Sequence, residues 1–258
     1  MSGSNDMPTR TEIFHWIAAH EDIFGAIRQP VGATGVYFSD ETRNYYPAEF
    51  VASYRGVLLM LLQNHVQFRI VTPGALEHFD GKVLVLPDVR VLSEEQAAGV
   101  RRFAARGGRV VLTGNTDHRL NSMKDAARFP DRPETRFLNR ALKDFYASDP
   151  ASEPKLLQAI ATDTDVRVDA SRNVVAHEAL LGGRTCLFLA NFSGLQAGQN
   201  ETPVAQSNIR ITTRAKLGRT LHVLPFLGTE RVVEGKPNGA SVEFNLPPLE
   251  RGAVVWFQ

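Results

Sequence analysis

The chain has 258 residues, 43% of them hydrophobic, which exceeds the roughly 100 to 200 residues of one typical domain and predicts two globular domains with ordinary cores. Its 29 basic and 28 acidic residues leave a formal net charge of +1, and the arginines are scattered without a basic run. This charge pattern excludes an electrostatic footprint for nucleic acid, so we expect no nucleic-acid partner.

We expect no targeting signal at the beginning of the given sequence. Residues 1–6 are small and polar without an apolar region, and no later apolar run approaches the roughly 20 residues that a membrane span needs. The sequence as given therefore predicts a cytoplasmic protein without a membrane partner, unless the chain has been cut from a longer secreted precursor.

The first predicted element is an amphipathic helix over Thr11 to Ile27. Side chains at helical spacing form a wide, largely apolar stripe, which needs a partner surface. The stripe consists of Ile13, Trp16, Ile17, His20, Ile23, Phe24 and Ile27. It packs either on the chain's own domain or against another domain, and the sequence leaves both alternatives open.

An α/β domain is predicted from about residue 31. Short apolar runs separated by helices or a short turn are typical of an open, doubly wound parallel sheet. The predicted strands are Gly35 to Phe38, Phe68 to Val71, Val83 to Leu86 and Val110 to Leu112, and a long helix is predicted over Tyr46 to His65.

The segment from residue 82 to 117 is the most informative part of the chain. Ser93 is followed three residues later by Gln96, which is the spacing of a capping box, and the predicted helix stops at Gly107 and Gly108. The strand before this helix ends in Pro87-Asp88, and the strand after it ends in Thr113-Gly114.

These motifs, with Leu-Ser-Glu-Glu-Gln at residues 92–96, resemble the middle domain of the β-galactosidases that carry a trimerisation domain. The same domain, with a class I glutamine-amidotransferase-like fold, lies behind the catalytic barrel in other glycosidase-like proteins. The resemblance covers roughly residues 31 to 118. The resemblance implies that this domain makes trimer contacts. It also implies that the N-terminal segment corresponds to the one that leaves the catalytic barrel in those proteins. The two catalytic carboxylates of that barrel are absent from this chain.

The second half of the chain changes from helical to strand spacing. Residues 119–133 are predicted to form a long excursion, followed by helices near Arg136 to Phe145 and Pro154 to Ala161. Eight short runs then predict an antiparallel sandwich. They are Val166 to Val168, Val174 to His177, Thr185 to Ala190, Ile209 to Thr213, Thr220 to Leu224, Arg231 to Glu234, Ser241 to Leu246 and Ala253 to Phe257.

Two local features support the sandwich. Asn238-Gly239 is a strong hairpin signal, and Cys186, the only cysteine, lies in an apolar run where we predict a buried thiol. A lone cysteine excludes an intramolecular disulfide. Residues 245–257 resemble the last strands of the small β-domain that closes many glycosidases.

The predicted fold class is therefore α/β: a flavodoxin-like, amidotransferase-like doubly wound parallel sheet followed by an antiparallel β-sandwich. The predicted boundaries are residues 1–30 for the N-terminal helix and linker, 31–164 for the α/β domain and 165–258 for the sandwich.

Polar side chains follow the predicted parallel strands, where a doubly wound sheet binds its ligands. This strand-end rim comprises Ser39, Asp40, Glu41, Thr72, Asp88, Asn115, Asp117 and His118. A hydrolase would use Ser39 or Thr113 as nucleophile, His118 as base and Asp88 or Asp117 to orient it, with Asp40, Glu41 and Asn115 available to a ligand. However, no Gly-x-Ser-x-Gly elbow exists, and Ser39 serves equally well as a helix cap.

Other site chemistries fit the sequence less well. Asp40, Glu41, Asp88 and Asp117 offer oxygen ligands for calcium or magnesium, but their spacing matches no loop motif. Glutaminase chemistry needs a cysteine nucleophile, and Cys186 lies in the predicted sandwich. The Gly-Ala-Thr-Gly run at residues 32–35 precedes a strand, so its amides do not collect at a helix N-terminus to cradle a phosphate. We expect no cofactor.

The leading functional prediction is a non-catalytic assembly module and a homo-oligomer, with the N-terminal helix as the interaction face. The main alternative is a stand-alone hydrolase acting on an ester, lactone or glycoside at the rim. A third is a module that binds carbohydrate or another small molecule through aromatic residues such as Tyr45, Tyr46 and Trp256, although Trp256 lies in an apolar strand.

Overall fold

The computed structural model describes residues 7–130, 133–135, 145–147, 152–194 and 202–258. The chain divides into two compact units. One contains the described residues up to Pro30 together with Asp165–Ser193 and Pro203–Gln258, and the other is built on Val31–Thr164. Within the described ranges, every helix is too short or too polar to span a bilayer.

The N-terminal segment forms two helices and a strand, where the sequence predicted one continuous helix. They are α1 (Met7–Ala19), α2 (Glu21–Phe24) and β1 (Arg28–Pro30). The break lies at His20, whose φ of −125° and ψ of 38° are not helical. The His20 ring forms a hydrogen bond of 2.7 Å with the Trp16 carbonyl oxygen. The His20 amide donates to the Ile17 carbonyl and not to the Trp16 carbonyl, which a continuing helix would use. A side chain that competes for a helical acceptor thus ends the helix.

The α/β unit alternates strands and helices as predicted. Its elements are β2 (Thr34–Tyr37), α3 (Asp40–Tyr45), α4 (Pro47–Gln63), β3 (Phe68–Val71), β4 (Val83–Pro87), α5 (Glu94–Ala105), β5 (Arg109–Thr113), β6 (Ala127–Phe129), β7 (Pro133–Thr135), β8 (Phe145–Ala147) and α6 (Ser152–Ile160), with a 3-10 helix at Pro73–His78 and another at His118–Leu120. The capping box at Ser93 and Gln96 is confirmed, because each side chain bonds the backbone amide of the other residue.

Five parallel strands form the central sheet, in the order β3-β2-β4-β5-β6. Alternate residues of each strand face opposite sides. Leu84 and Leu86 belong to the core that includes α5, whereas Val83 and Val85 belong to the core that includes α4 and α6. Helices therefore cover both faces, which confirms the predicted doubly wound α/β fold.

The excursion after β5 differs from the expectation. Residues 127–129 add β6 as a fifth parallel strand at the sheet edge, and residues 133–135 pair with residues 145–147 in a separate antiparallel ribbon. Most of the helix predicted near Arg136 to Phe145 lies outside the described residues. The predicted helix from Pro154 is confirmed as α6.

The remaining strands form the predicted antiparallel sandwich. They are β9 (Val166–Asp169), β10 (Val174–Leu181), β11 (Arg184–Asn191), β12 (Arg210–Arg214), β13 (Thr220–Pro225), β14 (Arg231–Glu234), β15 (Lys236–Asn238), β16 (Ser241–Asn245) and β17 (Gly252–Phe257). One sheet has the order β1-β10-β11-β17-β13-β14 and the other β15-β16-β12-β9. A core of alternate apolar residues, including Leu187, Val255 and Phe244, fills the sandwich.

Two local predictions in the sandwich are confirmed. Asn238 pairs with Ser241 across a two-residue turn, and Gly239 adopts a φ of +58°, which favours glycine. Cys186 is 1% exposed and is a free thiol, and its burial raises the pKa of this thiol, since the opposing effect of Arg184 is smaller.

Gly218 is a position where glycine is required. Its φ of +106° and ψ of 179° lie in a region open only to glycine, and an added Cβ would lie 2.2 Å from the Gln258 carbonyl oxygen. We expect Gly218→Ala to lower the free energy of unfolding by about 3 kcal/mol, measured by urea denaturation. Gly239→Ala is the matched control, because its Cβ meets nothing within 4 Å and only the left-handed backbone costs about 1–2 kcal/mol. Equal losses in the two variants would contradict the steric explanation.

Candidate functional site

The candidate site lies at the carboxyl ends of β2, β4 and β5. The chain goes from β2 to β3 on one side of the sheet and then to β4 on the other, so β2 and β4 flank the switch point. Doubly wound sheets bind ligands in the crevice beyond such a point. Most of the predicted rim residues follow these three strands.

Ser39 acts as the N-cap of α3. Its Oγ accepts a hydrogen bond of 3.1 Å from the Thr42 amide and lies 2.9 Å from the Thr42 hydroxyl. It also lies 3.1 Å from the Val91 carbonyl, and the Val91 amide donates to Thr42 Oγ1 at 3.1 Å. The hydroxyl is thus surrounded by helix-cap and loop groups, and its hydrogen bonds include no histidine.

Asp88 fixes the turn that follows β4. Its backbone has a φ of +49°, its side chain is fully buried, and its amide donates to the Thr113 carbonyl. Carboxylate atom Oδ2 accepts from Arg90 Nε at 3.0 Å, and Oδ1 accepts from the Asn115 amide at 2.8 Å. One buried carboxylate therefore joins the loop after β4 to the loop after β5.

A second carboxylate, that of Asp117, joins the same two loops. Its carboxylate accepts from the Leu92 amide and the Arg119 amide, each at 2.8 Å, and from the Arg119 guanidinium at 3.1 Å. Burial alone would raise the pKa of this carboxyl. The backbone hydrogen bonds and Arg119 outweigh that effect and hold the pKa of Asp117 below its ordinary value.

The other predicted site residues lie at the surface or beside these loops. The His118 side chain is 77% exposed, with Nδ1 3.5 Å from Asp117 Oδ1. Asp40 is exposed and pairs with Arg43 at 3.5 Å. Glu41 Oε1 accepts from Gln96 Nε2 at 2.6 Å.

The structure thus brings the predicted site residues together in pairs. Asp88 meets Asn115, and Asp117 meets His118, whereas Ser39 contacts Thr42 and Val91. In the described ranges, no cluster of three or more His, Cys, Asp or Glu side chains is arranged to hold a metal ion. These contacts attach the loops after β2, β4 and β5 to one another, which is a structural role.

A cavity beside the rim was not predicted from the sequence. It has a volume of about 270 Å³. It is lined by Tyr37, Pro73, Gly74, Leu76, Glu77, Ser93, Glu95, Gln96, Gly99, Arg102 and Arg106. Tyr37 lies at the end of an apolar strand, where a tyrosine in the sequence is indistinguishable from a core residue.

Two buried polar atoms near this cavity have no hydrogen-bond partner among the described residues. They are the Tyr37 hydroxyl and Glu41 Oε2. Burial raises the pKa of Tyr37 strongly, and the charges of Glu41 and Asp40 raise it further, so the hydroxyl stays protonated. Buried polar groups are normally hydrogen-bonded, so these two atoms are exceptions to that rule.

Comparisons with known proteins identify the fold. No protein-family model and no curated protein matches the sequence. Among solved structures, alpha-L-fucosidase isoenzyme 2 from Paenibacillus thiaminolyticus matches with a TM-score of 0.61 and 14% identity, over 95% of this chain and 51% of that chain. The catalytic mutant of Gan42B, a GH42 beta-galactosidase from G. stearothermophilus, matches with a TM-score of 0.54 and 14% identity, over 98% of this chain and 44% of that chain.

A beta-galactosidase from Bacillus circulans sp. alkalophilus matches with a TM-score of 0.55 and 12% identity, over 90% of this chain and 42% of that chain. The chain thus spans about half the length of these three proteins. At such low identity the likeness concerns the fold alone. The chain has a fold found within glycoside hydrolases, an α/β unit followed by a β-sandwich.

The contacts of Asp117 predict a pH-dependent contribution to stability. Because its pKa is lower in the folded state, the charged carboxylate stabilises the fold above the ordinary aspartate pKa of about 3.9, and this contribution is lost as the pH falls through the folded pKa. We expect Asp117→Asn to lower the free energy of unfolding at pH 7 by about 1–3 kcal/mol. The difference from the wild type should narrow below about pH 4 in urea denaturation.

Asp40→Asn is the matched control, because the Asp40 side chain is 57% exposed and its ion pair lies at the surface. We expect a change within about 0.5 kcal/mol for this variant. A difference between Asp117→Asn and the wild type that is the same at every pH would contradict the role assigned to the charged carboxylate.

Proposed function

We propose that this chain is a non-catalytic assembly module that resembles the trimerisation-type, amidotransferase-like α/β domain and the C-terminal sandwich of glycosidase-like proteins. The observation that carries the proposal is the match of 90–98% of the chain to about half of each of the three glycosidase chains. This partial coverage is consistent with a module of one or two domains within those longer chains.

The rim of the α/β unit supports a structural role for its polar residues. The carboxylates of Asp88 and Asp117 are occupied by backbone amides and arginines, and Ser39 caps a helix. A serine nucleophile needs a base within about 2.6–3.2 Å, and the hydroxyl of Ser39 has Thr42 and Val91 at that distance. The contacts of these side chains are therefore explained by structural roles and require no catalytic reaction.

The surface of α1 supports an assembly contact. Met7, Phe14 and Ile17 share one side of this helix, and they are 63%, 68% and 36% exposed. Trp16, by contrast, belongs to the sandwich unit: it contacts Phe24 and Phe226 and donates to the Gly228 carbonyl. An exposed apolar helix face fits burial against another copy of the chain, in keeping with the trimer contacts that the resemblance implies.

Replacement of Phe14 tests the proposed contact. We expect the wild type to show a mass above that of one 28.5 kDa chain in sedimentation equilibrium, and the mass to rise with concentration. Phe14→Asp places a charge in the contact and should shift the equilibrium to the monomer. His15→Asp, the next residue on the helix and also exposed, is the control for the added charge. A monomeric wild type at all concentrations would refute assembly through this helix.

The absence of turnover is the second expectation from the proposal. Nitrophenyl esters, lactones and nitrophenyl glycosides should give no hydrolysis above the background rate with the purified chain. The exposed His118 allows a clean control, since His118→Ala should fold like the wild type. Hydrolysis by the wild type that disappears in a folded His118→Ala variant would favour the alternative, a hydrolase with its site at the rim.

A further inference from the structure

The Asn238-Gly239 pair, which marks the hairpin between β15 and β16, also carries reactive chemistry. Asn238 is the only asparagine in the sequence that precedes a glycine. The backbone nitrogen of the following residue can attack the side chain of an asparagine, and this intramolecular attack makes asparagine a thermolabile residue. Glycine has no Cβ that hinders the attack, so an Asn-Gly pair is especially reactive.

Both reacting groups are accessible. Asn238 and Gly239 are exposed, and a Cβ built on Gly239 meets nothing within 4 Å. Within the described ranges, the Asn238 side chain forms no hydrogen bond and the Gly239 amide donates to no acceptor. The Gly239 nitrogen can therefore lose its proton to solvent without first breaking a hydrogen bond.

The position of β15 favours the local opening that the reaction needs. The attack requires the backbone at Asn238 to leave its extended conformation, so that the Gly239 nitrogen approaches the side-chain carbon. The three residues of β15 are all exposed, and the strand lies at the edge of its sheet. Short edge segments with exposed hydrogen bonds open locally at a low free energy.

A second exposed asparagine, Asn173, lies in a turn without these features. The amide of the next residue, Val174, donates to the Ser171 carbonyl at 3.0 Å. The branched Val174 side chain is fully buried and stands beside the nitrogen that would attack. Exposure of the asparagine alone is therefore insufficient, and we expect Asn173 to stay unchanged where Asn238 reacts.

Asp80 precedes Gly81 and is the one aspartate in the sequence with a glycine after it. The same ring can form from an aspartate, but only readily from its protonated carboxyl. The hydrogen bond and the positive charge of Arg69 hold the pKa of Asp80 below its ordinary value. The ionised carboxylate is a poor electrophile at neutral pH, so the chemistry favours Asn238.

We propose that Asn238 is a modification site, at which the side-chain nitrogen is lost as ammonia and the residue becomes isoaspartate, which opens the hairpin. The Gly239 nitrogen gives its proton to water and bonds to Cγ of Asn238. The bond from Cγ to Nδ2 breaks with its electron pair on nitrogen, which takes up a proton from water and leaves as ammonia.

The product of this step is a five-membered imide, which water then opens. Water adds to one of its two carbonyl carbons, and the bond from that carbon to the Gly239 nitrogen breaks. Cleavage at the backbone carbonyl gives isoaspartate, and cleavage at Cγ gives aspartate. Water is the only co-reactant, and no atom is oxidised or reduced.

Isoaspartate changes the backbone as well as the charge. Its Cβ becomes a main-chain atom, which lengthens the chain by one carbon just before the turn. The pairing of residue 238 with Ser241 and the bond of 3.0 Å from the Ala215 amide to the Ala240 carbonyl fit the present length of the chain. We expect both to be lost in the isoaspartate form. The proposal is independent of the assembly role, because it concerns a different surface from that of α1.

Incubation of the purified chain at neutral and at mildly alkaline pH, followed by digestion and mass spectrometry, tests the modification. We expect the peptide that contains Asn238 to gain the mass difference between O and NH, in two products that separate by chromatography. The rate should rise with the hydroxide concentration, because the Gly239 nitrogen must lose its proton. Asn238→Gln is the control, since a glutamine would have to form a six-membered ring and should react far more slowly.

A synthetic peptide of residues 233–243 supplies the reference rate. We expect the folded chain to react within about tenfold of this peptide, because exposed edges open at free energies near zero. A rate below about a tenth of the reference would show that the fold protects the pair and would overturn the proposal. Equal reaction at Asn173 would overturn it as well, because the free amide and the glycine would then be irrelevant.

Hydrogen exchange tests the opening of the hairpin. We expect the purified isoaspartate form to exchange faster than the fresh chain in the peptides that contain residues 236–243 and Ala215. Asn238→Asp adds the same charge without the extra main-chain carbon, so it should exchange like the fresh chain. Unchanged exchange in the isoaspartate form, or equally fast exchange in Asn238→Asp, would overturn the role assigned to the longer backbone.

Discussion

The α/β unit depends on two buried carboxylates that hold the loops after β4 and β5 together. Asp88 accepts from Arg90 and from the Asn115 amide, and Asp117 accepts from the amides of Leu92 and Arg119. Loops at the ends of parallel strands have no ladder of their own to satisfy their amides, so charged acceptors stabilise them strongly. Removing one carboxylate would leave several buried donors without partners.

This constraint explains why a rim rich in oxygen atoms need not be a catalytic centre. Catalysis requires a nucleophile and a base with free lone pairs facing a substrate. Here the lone pairs of Asp88 and Asp117 meet backbone amides and arginines, and the Ser39 oxygen caps α3. Residue types that suggest a hydrolase in the sequence thus perform a structural task, and that agrees with the assembly role proposed above.

Sequence patterns predicted the elements whose signal is local. The strands contain uninterrupted apolar runs at residues 83–86 and 110–112, and Ser93 with Gln96 marks the start of α5. The edge strand β6, Ala-Arg-Phe, has no such pattern, because an edge strand is paired on one side and needs little apolar surface. The break at His20 depends on a side-chain hydrogen bond to Trp16, which residue spacing does not encode.

The site shows the same division between local and tertiary information. The sequence places Asp88, Asn115 and Asp117 at strand ends, but the partners of each depend on the positive φ of Asp88 and on the paths of two loops. The cavity that Tyr37 lines depends on still more distant residues, since its walls include the 3-10 helix at residues 73–78 and α5. Neighbouring loops supply donors to Asp88 and Asp117, whereas Glu41 Oε2, Thr113 Oγ1 and the Tyr37 hydroxyl are buried without a hydrogen-bond partner among the described residues. Which polar atoms of the site are satisfied therefore depends on the paths of the loops, and the spacing of residues in the sequence does not specify those paths.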